Sequence, residues 1–375
     1  MTVKRIDAFP LVAPEPNYRG QERCVTLARI ETDDGVVGWG EAISQFPEAA
    51  IATKVLVDQG FGPRIEGRDP LDVEQLWREM CEYAYWFGVE GIAAFAISAI
   101  DMALWDLKGK LLGQPVARLL GGQLRDEIPA MGSIIFDMED LEWTLKEFQW
   151  MRDQGYGIVK AGWGMTPDAV FGDDRERDLT YVREVRQVIG EELSLVVDTP
   201  GARGLWDVPT AIRRFREWEE FDLRWVEQPL PGANLDEYAR LRSAVAVPIG
   251  TGEDEWSPGT YQHVIDSQGV DVLQLDPGRC LGLTGCREVV KLVEAANLKY
   301  TAHSWSSALN TAASLHFLAI SPNGDTLDFK PRESPFQHDL VEDPWVQEAG
   351  VLQLRPQPGL GVSVREEAVR ELEFG

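Results

Sequence analysis

The sequence predicts an α/β protein in which an N-terminal α+β domain precedes a TIM-type barrel, and three observations carry that prediction. From Ile128 onward, short apolar runs that each close on a polar residue alternate with amphipathic helical stretches, and with Pro129-Ala-Met-Gly-Ser133 as the first there are eight such runs. The first third follows a different pattern, strand-like alternation around a hairpin turn and then one long helical period. At 375 residues, 44% hydrophobic and 26% charged, the chain has room for two or three domains and is composed neither as a disordered chain nor as a collagen.

Each element has its own local reason. Val25-Thr-Leu-Ala-Arg-Ile-Glu-Thr32 alternates as a strand, Asp33-Asp-Gly35 makes a turn, and Val36-Val-Gly-Trp-Gly-Glu41 returns as its partner. Ile97, Ile100, Leu104, Leu107 and Leu111 then recur at helical spacing until Gly113-Gln-Pro115, which predicts a long, half-buried helix. The barrel runs that follow are Ile158-Val-Lys160, Leu195-Val-Val-Asp198, Leu223-Arg-Trp-Val-Glu227, Val247 to Glu253, Val270 to Asp276, Tyr300-Thr-Ala-His303 and Thr326-Leu-Asp328. Helical stretches such as Tyr181 to Ile189 and Thr284 to Ala296 sit between them. The tail segments Val351-Leu-Gln-Leu354 and Pro358 to Val364 read as strands returning to the first domain. Expected boundaries are therefore 1–125 for the α+β domain, 126–345 for the barrel and 346–375 for the returning segment.

Composition narrows the function. Asp and Glu outnumber Lys and Arg by 62 to 36, a net charge of −26, and no basic cluster interrupts that excess, which argues against nucleic acid as a partner. The same field repels a small anion, so an anion site must carry its own cation. Cys24, Cys81, Cys280 and Cys286 follow no zinc or redox spacing and read as reduced thiols. No basic-then-apolar leader and no uncharged run approaching about 18 apolar residues are present, which predicts a cytoplasmic protein without a membrane partner.

In a barrel the reactive groups stand where strands end at the C-terminal face. The runs close on Lys160, Asp198, Glu227, Glu253, Asp276, His303 and Asp328. Asp198, Glu227 and Glu253 come from three successive strands, and like charges so placed require a cation; hard oxygen ligands with open positions suit Mg²⁺. His303 and Asp276 close adjacent strands and can pair, the carboxylate orienting the imidazole and raising its basicity. His263, His316 and His338 fall inside helical or loop stretches and read as packed or surface residues.

Gly38-Trp-Gly-Glu-Ala42, Ala96-Ile-Ser-Ala-Ile-Asp-Met-Ala-Leu-Trp-Asp-Leu-Lys-Gly109, Leu119-Leu-Gly-Gly122, Trp225-Val-Glu-Gln-Pro229, Gly252-Glu253 and Pro358-Gly-Leu-Gly361 occur in an order spanning nearly the whole chain. With them the chain resembles the mandelate racemase group of the enolase superfamily, its acid-sugar dehydratases in particular. The resemblance implies a capping domain over a modified (β/α)7β barrel, Mg²⁺ on Asp198, Glu227 and Glu253, and carboxylate substrates that lose an α-proton. A Lys or His base working with Mg²⁺ is a general property of this superfamily. The resemblance further makes His303 and Asp276 the catalytic dyad. It puts Asp328 where the family usually has a Glu that hydrogen-bonds the substrate carboxylate. One departure matters: where the family has Lys-x-Lys, this chain has Lys160-Ala-Gly162 and then Trp163, so the base usually facing the His is missing. Lys160 remains as a cation for the substrate carboxylate, and Gly162 with Trp163 is expected either to admit or to wall a bulkier substrate.

Specificity is expected from the capping domain. The Pro-rich stretch Ala13 to Arg23 reads as a lid carrying Tyr18, Arg19 and Arg23. Tyr83-Ala-Tyr-Trp-Phe87 reads as core or as pocket lining, and Arg279 and Arg332 as contacts for a distal hydroxyl or carboxylate. A single well-placed base favours elimination over racemisation, because one imidazole can take the α-proton and return it to the leaving hydroxyl. The expected activity is dehydration of an aldonate or aldarate to a 2-keto-3-deoxy acid. The alternatives are a racemase or epimerase, a lactone cycloisomerase, or, in another class, a non-catalytic metal-dependent binder of acid sugars. The expected partners are a small carboxylate and further copies of the chain in a homo-oligomer.

Overall fold

In the computed structural model, which describes residues 1–166 and 169–375 apart from the side chain of Ala202, the chain opens with β1 (Val3–Glu15), β2 (Gln21–Thr32) and β3 (Val37–Gln45). They form an antiparallel sheet in that order, with Gly35 at φ +81° in the β2/β3 turn, where a left-handed residue is needed. Within this sheet β1 is an edge strand, bridged on its outer side only at Leu11–Glu373 among the described residues, and such a strand tolerates Pro10 and Pro14. The stretch expected to be an irregular lid is thus largely strand: only the short turn Pro16–Tyr18 and Arg19-Gly20 separate β1 from β2.

The predicted helix runs from Ile92 to Leu112 and crosses β3 at close quarters. A Cβ on Gly38 or Gly40 would stand 2.3 or 2.1 Å from the carbonyl oxygens of Ala103 and Ala99, so the Gly-Trp-Gly sequence is what lets helix and strand backbones meet. The helix is buried on nearly every face rather than half-buried, because the barrel helix Gly282–Ala295 covers its other side. There Asp101 accepts from both the backbone N–H and the hydroxyl of Thr284, at 2.9 and 2.6 Å.

Eight parallel strands follow: β4 (Glu127–Ile135), β5 (Ile158–Gly162), β6 (Ser194–Asp198), β7 (Leu223–Glu227), β8 (Ile249–Thr251), β9 (Val272–Leu275), β10 (Lys299–Ala302) and β11 (Gly324–Phe329). β11 pairs back with β4 and closes the barrel. After β11 comes a single turn, Pro335–Asp339, in place of an eighth barrel helix, which is the modified (β/α)7β topology.

The tail divides its contacts. β12 (Val351–Gln353) pairs antiparallel with β4 at the base of the barrel, not with the first sheet. Pro358 to Val364 is not a strand; it touches the cap region through the Pro115–Gly359 bridge, and Leu360 N–H donates to Asp106. The last residues reach the first sheet, where Phe374 N–H donates to the Pro10 carbonyl.

Inside the barrel, Met131, Ile158, Val196, Trp225 and Val272 pack into one apolar layer. Side chains two positions apart on a strand share a face. Ser133, Lys160, Asp198 and Glu227 therefore point inward directly above that floor.

Candidate active site at the barrel mouth

Lys160 lies buried among four carboxylates. Its Nζ donates to Glu227 Oε1 at 2.6 Å and stands 2.8 Å from Asp328 Oδ2, 3.4 Å from Asp198 Oδ2 and 3.9 Å from Glu253 Oε2. Burial works against its charge, but Asp328, Glu227, Asp198 and Glu253 together hold the ammonium well above its ordinary pKa. Glu227, despite burial, is lowered by Lys160, whereas burial and repulsion from Glu227 hold Asp198 well above the usual carboxylate range. Glu253 is likewise held well above it, by burial first. One ammonium is thus too little to keep all of these carboxylates ionised together.

The donor chemistry fits a hard divalent cation. Asp198, Glu227 and Glu253 offer oxygens all within 4.8 Å of one another, and Glu253 Oε2 is buried without a hydrogen-bond partner. Glu253, His303 and Asp328 make a second such grouping. Two indoles steady the first set, Trp163 Nε1 donating to Asp198 Oδ1 and Trp225 Nε1 to Glu227 Oε2, each at 3.2 Å.

His303 directly follows β10, and its Nδ1 lies 2.6 Å from Asp276 Oδ2. Burial pushes the imidazole down, but the hydrogen bond and charge of Asp276 outweigh it, and the pKa stands above its ordinary value. Asp276 is itself fixed, its Oδ1 accepting from Gly278 N–H at 2.7 Å and Asn310 Nδ2 at 3.0 Å. Asn310 belongs to a further layer that sequence reasoning missed. Glu41, fully buried on β3, accepts from the hydroxyls of Ser306 and Ser307 and from the backbone N–H groups of Ser307 and Asn310. The Gly-Trp-Gly-Glu-Ala sequence contained that signal, a carboxylate within an otherwise apolar strand; Asn310 offered none.

Gly162 has a steric reason to be glycine. A Cβ there would stand 1.6 Å from the Asp198 carbonyl oxygen and 2.4 Å from its carbonyl carbon. Trp163 turns the chain at φ +60°, and its N–H donates to that same carbonyl oxygen at 3.2 Å. The strand end where a second lysine would stand is therefore packed against the backbone of Asp198.

These groups line a cavity of about 660 Å³ that Tyr18, Arg23, Trp163, Arg279 and Trp305 share with Lys160, Asp198, Glu253, His303 and Asp328. Tyr18 OH donates to the Met165 carbonyl at 3.1 Å, and Arg279 donates to the Asp254 carbonyl while stacking 3.5 Å over Trp256. Two expected contacts are not in the lining. Arg19 is paired with Asp137 and lies over Trp143; Arg332 makes a two-pronged pair with Glu147, at 2.8 and 3.0 Å, over Trp150. Carboxylates on the helix Leu141–Asp153 and the loop before it take these guanidiniums away from the cavity. Tyr85 and Trp86 are 80% and 92% exposed, Tyr83 packs edge-on against Phe61 and Ala84 is core, so none of that stretch lines this cavity. No helix among the described residues is long and apolar enough to cross a membrane.

Residues 143–368 match the enolase C-terminal domain-like family, and residues 16–121 match the mandelate racemase / muconate lactonizing enzyme N-terminal domain. The D-galactarolactone cycloisomerase of Agrobacterium fabrum is 28% identical over 372 residues, covering 96% of this chain and 93% of that one. The D-galactonate dehydratase of Cronobacter sakazakii is 29% identical over 360 residues, covering 94% and 91%. A crystal structure of an enolase from Bradyrhizobium complexed with magnesium and mandelic acid superposes with a TM-score of 0.87 at 26% identity, covering 100% of this chain and 99% of that one.

Proposed function

Because the chain belongs to the mandelate racemase / muconate lactonizing enzyme family with its enolase-like C-terminal domain, we propose that it is a hydro-lyase. Its reaction is the β-elimination of water from an acid sugar, an aldonate or aldarate, to give a 2-keto-3-deoxy acid. Asp198, Glu227 and Glu253 would hold Mg²⁺, which when bound supplies Lewis acidity toward the substrate carboxylate and so makes its α-proton removable. Lys160, kept protonated between Glu227 and Asp328, offers the substrate carboxylate a fixed cation.

His303 is the base. With its Nδ1–H donated to Asp276, the Nε2 lone pair is free to accept the α-proton, and the imidazolium so formed is stabilised by that carboxylate. The same imidazolium then protonates the departing β-oxygen. The C–H and C–O bonds break, water leaves, and the resulting enol tautomerises to the keto acid.

The single observation that carries this reading is the packing of Gly162 on the Asp198 backbone, which leaves the face opposite His303 without a base at that strand end. Lys160, 2.8 Å from Asp328, takes the part of the cation in this reading. Incubation with a panel of aldonic and aldaric acids, read with semicarbazide for 2-keto acids and by NMR for epimers, is the test. Keto acid is expected, and epimerised acid without keto product would overturn the proposal. The likeness to a D-galactarolactone cycloisomerase favours a second reading with the same base, in which the leaving oxygen stays within the molecule. A lactone substrate converted without change of mass would distinguish it.

A further inference from the structure

We propose that Arg23 reads a second carboxylate at the far end of the substrate, so that the preferred acid sugars are aldarates rather than aldonates. This rests on the cavity being the substrate site and deepens that reading. Arg23 lies on β2 close to the hairpin tip, opposite Ala13 of β1, and its side chain lines the cavity with Lys160 and His303. Its guanidinium is 4.5 Å from the centre of the Tyr18 ring and 5.1 Å from that of Trp305, two residues beyond His303. Its Nε is buried without a hydrogen-bond partner, and the guanidinium has no ion pair among the described residues.

Among the described cations at or beside the cavity, Arg23 alone has neither a hydrogen bond nor an ion pair. Lys160 has its carboxylates, Arg279 donates to the Asp254 carbonyl, and Arg19 and Arg332 are ion-paired. The acid in nearest electrostatic reach, Glu15, is already paired with buried Lys330 at 2.7 Å. Burial accordingly pulls the Arg23 pKa below its ordinary value, with Tyr18 and Glu15 only partly restoring it. A guanidinium partly withdrawn from water without a partner is costly, and an arriving anion removes that cost. Two aromatic rings pack against this guanidinium, and the donor edge of such a group matches the two oxygens of a carboxylate. The site then has two anion-binding ends, Lys160 with the acidic trio at the floor and Arg23 at the hairpin.

The test is binding in a variant that does not turn over. In a His303→Asn background with Mg²⁺, calorimetry compares a hexaric acid, the hexonic acid of the same configuration, and that hexonic acid phosphorylated at its far end. The hexarate is expected to bind at least about tenfold tighter than the hexonate, and adding Arg23→Gln is expected to abolish the difference. Arg23→Lys should retain part of it, and thermal melts of each variant check folding. Equal affinities, a preference that survives Arg23→Gln, or tighter binding of the phosphorylated acid would each overturn the assignment. Turnover of the same acids by the unaltered enzyme tests the elimination reading separately: its failure would leave the binding comparison intact.

Discussion

Replacing Gly162 with Ala should damage the site through its backbone rather than through any lost side chain. The added Cβ would stand 1.6 Å from the Asp198 carbonyl oxygen, where ordinary contact begins near 3.4 Å. Because the obstacle is main chain in a close-packed interior, the two strands must part by about 2 Å. The Asp198 carboxylate, directly opposite on β6, moves with them. Overpacking of this kind costs about 1–3 kcal/mol of stability, and a misplacement on the order of 1 Å at a reacting centre costs on the order of 100-fold in rate. We therefore expect Gly162→Ala to lower the melting temperature, weaken Mg²⁺ binding measured by calorimetry, and cut kcat/KM at least about 100-fold. Gly157→Ala is the control: just before the same strand, its Cβ would meet nothing within 4 Å, and its stability should be unchanged or slightly raised. A Gly162→Ala protein with native melting temperature and native Mg²⁺ affinity would refute the argument.

Glu227→Gln removes the closest carboxylate partner of Lys160 and one of the trio, and should weaken Mg²⁺ binding at least about tenfold by calorimetry with the circular dichroism unchanged; native affinity would sink the metal assignment. Asp276→Asn loses a charge-assisted hydrogen bond worth about 1.5–3 kcal/mol, or about 10- to 100-fold in kcat/KM. Because Asp276 raises the pKa of His303 and the base acts deprotonated, kcat/KM should rise with pH through that pKa, and the variant should move the rise to lower pH; an unmoved limb would contradict the role given to the dyad. His316 is buried with its Nδ1 accepting from Ala117 N–H and is pushed down to about 4 from an unfolded value of 6.5. Between those values the unfolded chain binds a proton that the folded chain does not, so the stability is complete above the upper value and lost as pH falls toward the lower. The loss is on the order of 3 kcal/mol. Denaturant titrations of His316→Gln should show a flatter acid slope, and an identical slope would assign the loss elsewhere.

What could be read in advance follows from period. Lys160, Asp198 and Glu227 lie two residues beyond Ile158, Val196 and Trp225, so alternation alone sets them above the apolar floor, and strand order then makes neighbours of Asp276 and His303. The β1/β2 hairpin was obscured because Pro10, Pro14 and Pro16 act as breakers in any strand but an edge, and edges are a property of the assembled sheet. Arginine was the hardest residue to place. Arg19, Arg23 and Arg332 have the same reach, and only the acids brought beside them by folding, Asp137 and Glu147, decide which remains for a ligand. Glu41 acts on residues more than 260 positions away, a relation that leaves no mark in local pattern.

The contacts of Glu41 also bear on how such an enzyme can be recombined. A capping domain proposed to set specificity invites treatment as an interchangeable cassette, to be exchanged between relatives above a constant barrel. Here the cassette carries part of the alignment of His303, the proposed base: β3 supplies the acid on which Ser306, Ser307 and Asn310 converge, and Asn310 passes that constraint to Asp276. A chimaera whose donor cap lacks a carboxylate at this position would inherit new selectivity together with orphaned donors beneath it, and a dyad no longer braced from above. The productive crossover is therefore one that keeps Glu41 with the barrel and exchanges only the β1/β2 hairpin tip.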